Sequence, residues 1–177
     1  NSSANVAYDL DMTISPGTAS RLVVTGTALQ IAGGAQSLTV TAKDDYGNTA
    51  TAYTGDKDLT FVGPSASPDS NTPTVSDKDG TATDMGDAAT ISFTAGISSA
   101  GGTLTVYKTE ESVSVDVTDE TIDSTGDAAY DLDIAVSPGP PARLEVTGSA
   151  SQAVGSSQSI TVTAKDSYGN VAISYTG

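Results

Sequence analysis

The sequence predicts an all-β fold: β-sandwich units of about 122 residues in tandem, each with seven to eight strands. Three observations carry this. The stretch TVTAKDDYGN (Thr39 to Asn48) returns as TVTAKDSYGN (Thr161 to Asn170). Apolar and polar residues alternate along the candidate strands. No segment keeps a helical period, and Gly, Ser, Thr, Ala and Asp dominate the composition.

The repeat comes first. Pairing Tyr8 with Tyr130 gives an offset of 122 that runs without a gap from Ala7–Gly55 to Ala129–Gly177, and about 31 of those 49 pairs are identical. The substitutions respect a strand period of two. In AYDLDMTIS, Tyr8, Leu10, Met12 and Ile14 share one face, and their partners Tyr130, Leu132, Ile134 and Val136 are all apolar. In RLVVTG, Leu22 and Val24 point inward, while outward Val23 becomes Glu145. In QSLTVTAKD, Leu38, Val40 and Ala42 point inward. One wet face and one dry face indicate antiparallel sheet.

The unrepeated middle continues the pattern. Leu59 and Phe61 mark a short strand. A polar tract, Gly63 to Ala89, follows; a structureless stretch of that length is uncommon, so a short strand is expected near Pro73–Ser76. TISFTAG, GGTLTVYKT and ESVSVDVTD supply further strands, the last with Val113, Val115 and Val117 on one face. Pro16-Gly17 and Pro138-Gly139 punctuate the chain, and PGPPA is stiff because proline fixes φ. These place a preceding unit's last strand at 1–15, a complete unit at 16–137, and the opening strands of the next at 138–177.

Composition narrows the function. Apolar residues are 37% of the chain, with two Phe, seven Tyr and no Trp, which suits a thin aliphatic core. The net charge of −15 comes from 22 acidic and 7 basic residues and repels nucleic acid and anionic lipid. No run of about 18 apolar residues offers a membrane span. With neither His nor Cys, Ser–His–Asp and Cys–His catalysis are excluded and soft metals lack their usual ligands. Carboxylate pairs remain, but they fall in turns and on wet strand faces. No catalytic residue is assigned, and the expectation is a protein that is not an enzyme.

SPGTASRLVVTG, SLTVTAKDDYGN, TPTVSDKDGTAT and TISFTAG together resemble the bacterial immunoglobulin-like repeats of large surface and secreted proteins, related broadly to invasin- and intimin-type domains. The resemblance covers nearly the whole chain, and AKDxYGN is its most specific element. It implies an immunoglobulin-like β-sandwich, tandem arrangement, export to the cell surface or beyond, and a role as stalk, spacer or adhesive module. The disulfide and core Trp of antibody domains are missing.

Several residues are candidates for binding. Asp77, Asp79, Asp84 and Asp87 gather hard oxygen donors within SDKDGTATDMGD, a pattern near that of calcium loops but without their closing bidentate Glu. Calcium is the one cofactor the sequence admits. A second acidic group surrounds the junction strand: Asp9 and Asp11, their copies Asp131 and Asp133, and Asp116, Asp119, Glu120, Asp123 and Asp127. Two carboxylates ~7 Å apart in water repel by only about 0.6 kcal/mol, so none of these requires a cation. The aromatic platforms for an alternative role as adhesin or carbohydrate-binding module are Tyr46, Tyr53, Tyr107 and their repeat copies, with Tyr46 and Tyr53 the candidate ligand pair. Lys43 and Lys165 fall on the wet face, which disfavours the isopeptide cross-links some surface immunoglobulin-like domains carry. The expected partners are neighbouring repeats of the same chain or other copies of it, stacked in tandem or joined by strand addition at exposed edges, in a stalk, surface layer or filament.

Overall fold

The computed structural model describes residue 10 and residues 12–176. Tyr8, Asp9 and Asp11, which the sequence assigns to the junction strand and its acidic face, lie outside the described residues. Among the described residues there is no helix, so none is long and apolar enough to cross a membrane.

The fold is all-β and sandwich-like. Fourteen strands occur in order: β1 (Arg21–Thr25), β2 (Leu29–Ile31), β3 (Ala35–Ser37), β4 (Thr39–Lys43), β5 (Gly55–Val62), β6 (Thr74–Ser76), β7 (Ala82–Asp84), β8 (Ala88–Thr94), β9 (Ile97–Ala100), β10 (Thr103–Thr105), β11 (Glu110–Thr118), β12 (Leu132–Ser137), β13 (Arg143–Thr147) and β14 (Thr161–Lys165). One curled sheet runs β1-β4-β9-β8-β5-β11-β12-β2, and a smaller sheet runs β3-β10-β6-β7. Strands β13 and β14 pair only with each other. Up to Ser137 the strands of four or more residues are β1, β4, β5, β8, β9, β11 and β12, close to the expected number; the other five have three residues each. Such short pieces show no readable alternation.

The strand expected near Pro73–Ser76 is β6. Its hairpin with β7 turns through Asp77–Thr81, where the Asp77 carboxylate accepts from the amides of Asp79 and Thr81 at 2.9 and 2.8 Å. Pairing is antiparallel with one exception: β12 runs parallel to β2. Parallel neighbours need a long crossover, and here nearly the whole unit lies between them.

The core holds most of the residues that the period of two points inward, but Leu10, Met12 and Ile14, expected on the apolar face of a strand, are exposed and lie in no strand. Leu22, Val24, Leu38, Val40, Ala42, Leu59, Phe61, Val115 and Val117 are all buried. Ile91, Phe93, Leu104 and Val106 join them, with Ile134 and Val136 from β12. Strand β11 serves both halves of the curl. Asp116–Thr118 pair with β5, Glu110–Val115 pair with β12, and the register shifts between Glu110 and Val113. Gly63 sits at that crossing with φ 129°; a Cβ there would run into the Ser114 carbonyl, so only glycine fits.

Candidate functional site

The chain's most repeated local structure is the KDxYGN turn, and it is built around one carboxylate. Asp44 Oδ1 accepts from the amides of Tyr46 and Asn48 at 3.0 and 2.8 Å. Its Oδ2 accepts from the Asn48 side-chain amide at 3.1 Å and from the backbone N–H of Gly17 at 2.8 Å. The last bond ties the Pro16-Gly17 segment to a turn 27 residues away. Gly47 takes φ 84°, which a side chain resists. The Asn48 amide and then the Gly17 N–H hold the Asp44 carboxyl at about 2, well below its ordinary value, outweighing the opposite push of burial.

The second copy reproduces this bond for bond. Asp166 accepts from Tyr168 N and Asn170 N, both at 2.9 Å, from Asn170 Nδ2 at 2.8 Å, and from Gly139 N at 3.0 Å. Burial pushes the Asp166 carboxyl up, but the Asn170 amide and the three N–H donors bring it below the usual range. The hairpins share their register: Arg21 pairs with Lys43 through Thr25 with Thr39, and Arg143 with Lys165 through Thr147 with Thr161.

The surroundings of the two copies are reversed. In the first, the apolar face of the hairpin is buried, and Tyr46, Gly47 and Asn48 are exposed, Tyr46 by 89%. In the second, Gly169 and Asn170 are buried and Tyr168 is half-buried, while Leu144, Val146, Ile160 and Val162 are exposed. What buries the second turn is the surface around Gly33, Asp69 and Tyr107–Thr109. The Tyr168 ring packs on Tyr107 with centroids 5.0 Å apart and lies against Gly33. Asn170 donates to the Tyr107 carbonyl at 2.8 Å and accepts from Thr109 N at 2.9 Å. Arg143 donates from the single nitrogen Nη2 to both oxygens of Asp69 at 2.8 Å, and the Asp69 N–H donates to the Tyr168 carbonyl at 3.2 Å. Beside them Pro68, Lys108, Pro138, Val171 and Ile173 line a cleft of about 330 Å³.

The other sequence candidates lie apart from this junction. Asp77 is engaged by its own turn, Asp79 pairs with Lys78 at 3.1 Å, and Asp84 and Asp87 are exposed. Among the described residues no three acidic side chains converge on a common point that would hold a metal. Asp119 and Asp123 each cap local backbone amides, as does Asp127, and Asp133 accepts from Ser114 Oγ. Asp116 accepts from Ser124 Oγ. Tyr53 does not join Tyr46 as an exposed pair of rings. It meets Phe93 edge to face at 4.9 Å and donates its hydroxyl to Asp119 at 2.7 Å. Burial and then the Asp119 carboxylate push the Tyr53 phenol well up, so it stays protonated. Lys43 donates to Thr49 Oγ1 at 3.1 Å, and Lys165 to the Gly169 carbonyl at 3.2 Å.

Sequence reasoning singled out Tyr46 and counted Tyr107 among the available aromatic platforms, but missed Gly33, Asp69 and Thr109, the rest of the surface its copy meets. None of these three belongs to a motif, and nothing in their local pattern marks them. No family model matches the chain, and no curated protein sequence matches it.

Proposed function

We propose that the chain is a non-enzymatic structural module of an exported prokaryotic surface protein, immunoglobulin-like in its repeats, that builds a stalk, surface layer or extracellular filament by tandem stacking. The observation that carries this is the docking of the second KDxYGN turn on the first unit through Tyr107, Thr109 and Asp69. Ring packing, three hydrogen bonds to backbone and an ion pair restrain one unit against the next at several points. A bare linker would leave the units free to swing. The sugar-binding alternative lacks support from Tyr53, whose ring packs on Phe93 and lies under the Lys57 ammonium.

Small-angle scattering from chains extended by whole 122-residue units tests the reading. The largest dimension should grow by a constant step on the order of 35 Å per unit, the diameter of a globule with a radius of gyration of about 14 Å. Growth with the square root of unit number would mean freely jointed beads and would defeat a stalk.

A further inference from the structure

We propose that the exposed Tyr46–Asn48 tip, together with Arg21, is the docking face for a further copy of the 122-residue unit, which meets it with its own Gly33, Asp69, Tyr107 and Thr109. The inference rests on the stacking reading and adds which residues meet.

The same face occurs twice, in two states. Pro138, Gly139, Arg143, Lys165, Asp166, Tyr168, Gly169 and Asn170 have the identical counterparts Pro16, Gly17, Arg21, Lys43, Asp44, Tyr46, Gly47 and Asn48. The turn geometry is the same, down to the Asp carboxylate on the Pro-Gly amide. The second copy uses each outward group. Asn170 bonds to Tyr107 and Thr109, Arg143 to Asp69, and the Tyr168 ring to Tyr107. Among the described residues those of Asn48 and Tyr46 are unused in the first copy, while the Arg21 guanidinium lies over the Tyr130 ring, 4.8 Å from its centroid. The Asn48 side-chain amide donates only to Asp44, and Tyr46 stands in solvent. Among the described residues Arg21 has no carboxylate partner, and its Nε is buried without an acceptor.

Asn48 carries the strongest argument. Within its turn an asparagine needs only one N–H toward Asp44, a bond both copies make. The remaining acceptor and donor of Asn170 reach a neighbouring backbone, and Asn48 presents the same pair outward. Val171 and Ile173 are Thr49 and Thr51 in the first copy, so the further contact is wetter beside the turn, but neither position makes the bonds named above. Each unit offers a tip and a separate receiving surface. A contact of that kind is heterologous and, where the rotation between units does not close a ring, extends into a line.

Tyrosine nitration followed by peptide mapping tests it. The full chain is compared with one in which an extra copy of residues 16–137, carrying Tyr46→Phe, is joined directly ahead of Pro16. The tether keeps the two surfaces at high effective concentration, so a weak contact still forms. Nitration of Tyr46 should slow by about tenfold or more, toward the rate of Tyr168, and Arg21→Glu should restore part of the speed. Adding Asp69→Arg in the extra copy should slow it again.

If Tyr46 reacts at the full-chain rate while Tyr168 stays slow, the inference is overturned and the stacking reading stands. If Tyr168 is also fast, the observed junction does not hold in solution and both fall. An extra copy that stays unfolded counts against the inference as well, because the docking partner must be a folded unit.

Discussion

A single carboxylate decides the shape of each KDxYGN turn. Asp44 takes four hydrogen bonds, three local and one from Gly17 across 27 residues, so it fixes both the turn and the entry of the unit's first strand. Glutamate would place its oxygens one carbon too far out, and asparagine would offer one acceptor where two are used. The charged form is what these donors favour, hence the depressed value of about 2 for Asp44 and the lowered one for Asp166. In the unfolded chain an aspartate titrates near 4. A group whose folded value is depressed adds stability in full above the unfolded value, and that stability disappears as pH falls through the folded one. Thermal unfolding should therefore be flat from neutral pH to about 4.5 and fall steadily between about 4 and 2. Asp44→Asn should start with a lower melting temperature and lose less across that window. An equally steep acid loss in the variant would show that Asp44 is not the group responsible.

At the scale of the element, the two hairpins separate sequence from environment. Strands β1 and β4 have the same pattern and register as β13 and β14, yet Leu22 is 0% exposed and Leu144 53%. Propensity and alternation made both hairpins legible as strands with a dry face. They also placed the inward residues of β4, β5 and β11, while the length of the polar tract called for the short strand β6. The three-residue strands β2, β3 and β7 were not legible as separate elements, because alternation needs more than one period to show. Nor was the parallel pairing of β2 with β12, which depends on where the chain returns from. The site was half legible. The repeat exposed the turn and Tyr46, but the reach of Asp44 to Gly17 and the receiving surface around Tyr107 depend on residues far apart in sequence. The hairpins also permit a controlled comparison. Leu22→Ala should cost about 3 kcal/mol in urea unfolding, as buried leucines do, whereas Leu144→Ala should cost less than about 1. Equal costs would mean that the β13–β14 face is covered in solution.

Across the whole molecule, a net charge of −15 sets repulsion against stacking. At physiological salt that repulsion is screened beyond ~8 Å, so the short-range contacts at the junction decide whether neighbouring units hold together. Those contacts are of two kinds. The Arg143–Asp69 pair is the more conspicuous, but both side chains are over a third exposed, and such pairs contribute about 0–1 kcal/mol. Asn170 is only 4% exposed, and losing it would strand the Tyr107 carbonyl and the Thr109 N–H, at about 1–3 kcal/mol for each group left unpaired. Shape and hydrogen bonding therefore outweigh charge at the junction. Spin labels report this directly, since the chain has no cysteine of its own and exposed Asp87 and Ser156 can each be replaced by one. The label-to-label distance distribution should be narrow in the parent and stay narrow in Arg143→Ala. It should broaden in Asn170→Ala and in Tyr168→Ala, the second of which leaves the turn's own hydrogen bonds in place. The reverse order, with broadening on loss of Arg143 and recovery at low salt, would make the ion pair the principal restraint and the stack sensitive to ionic strength.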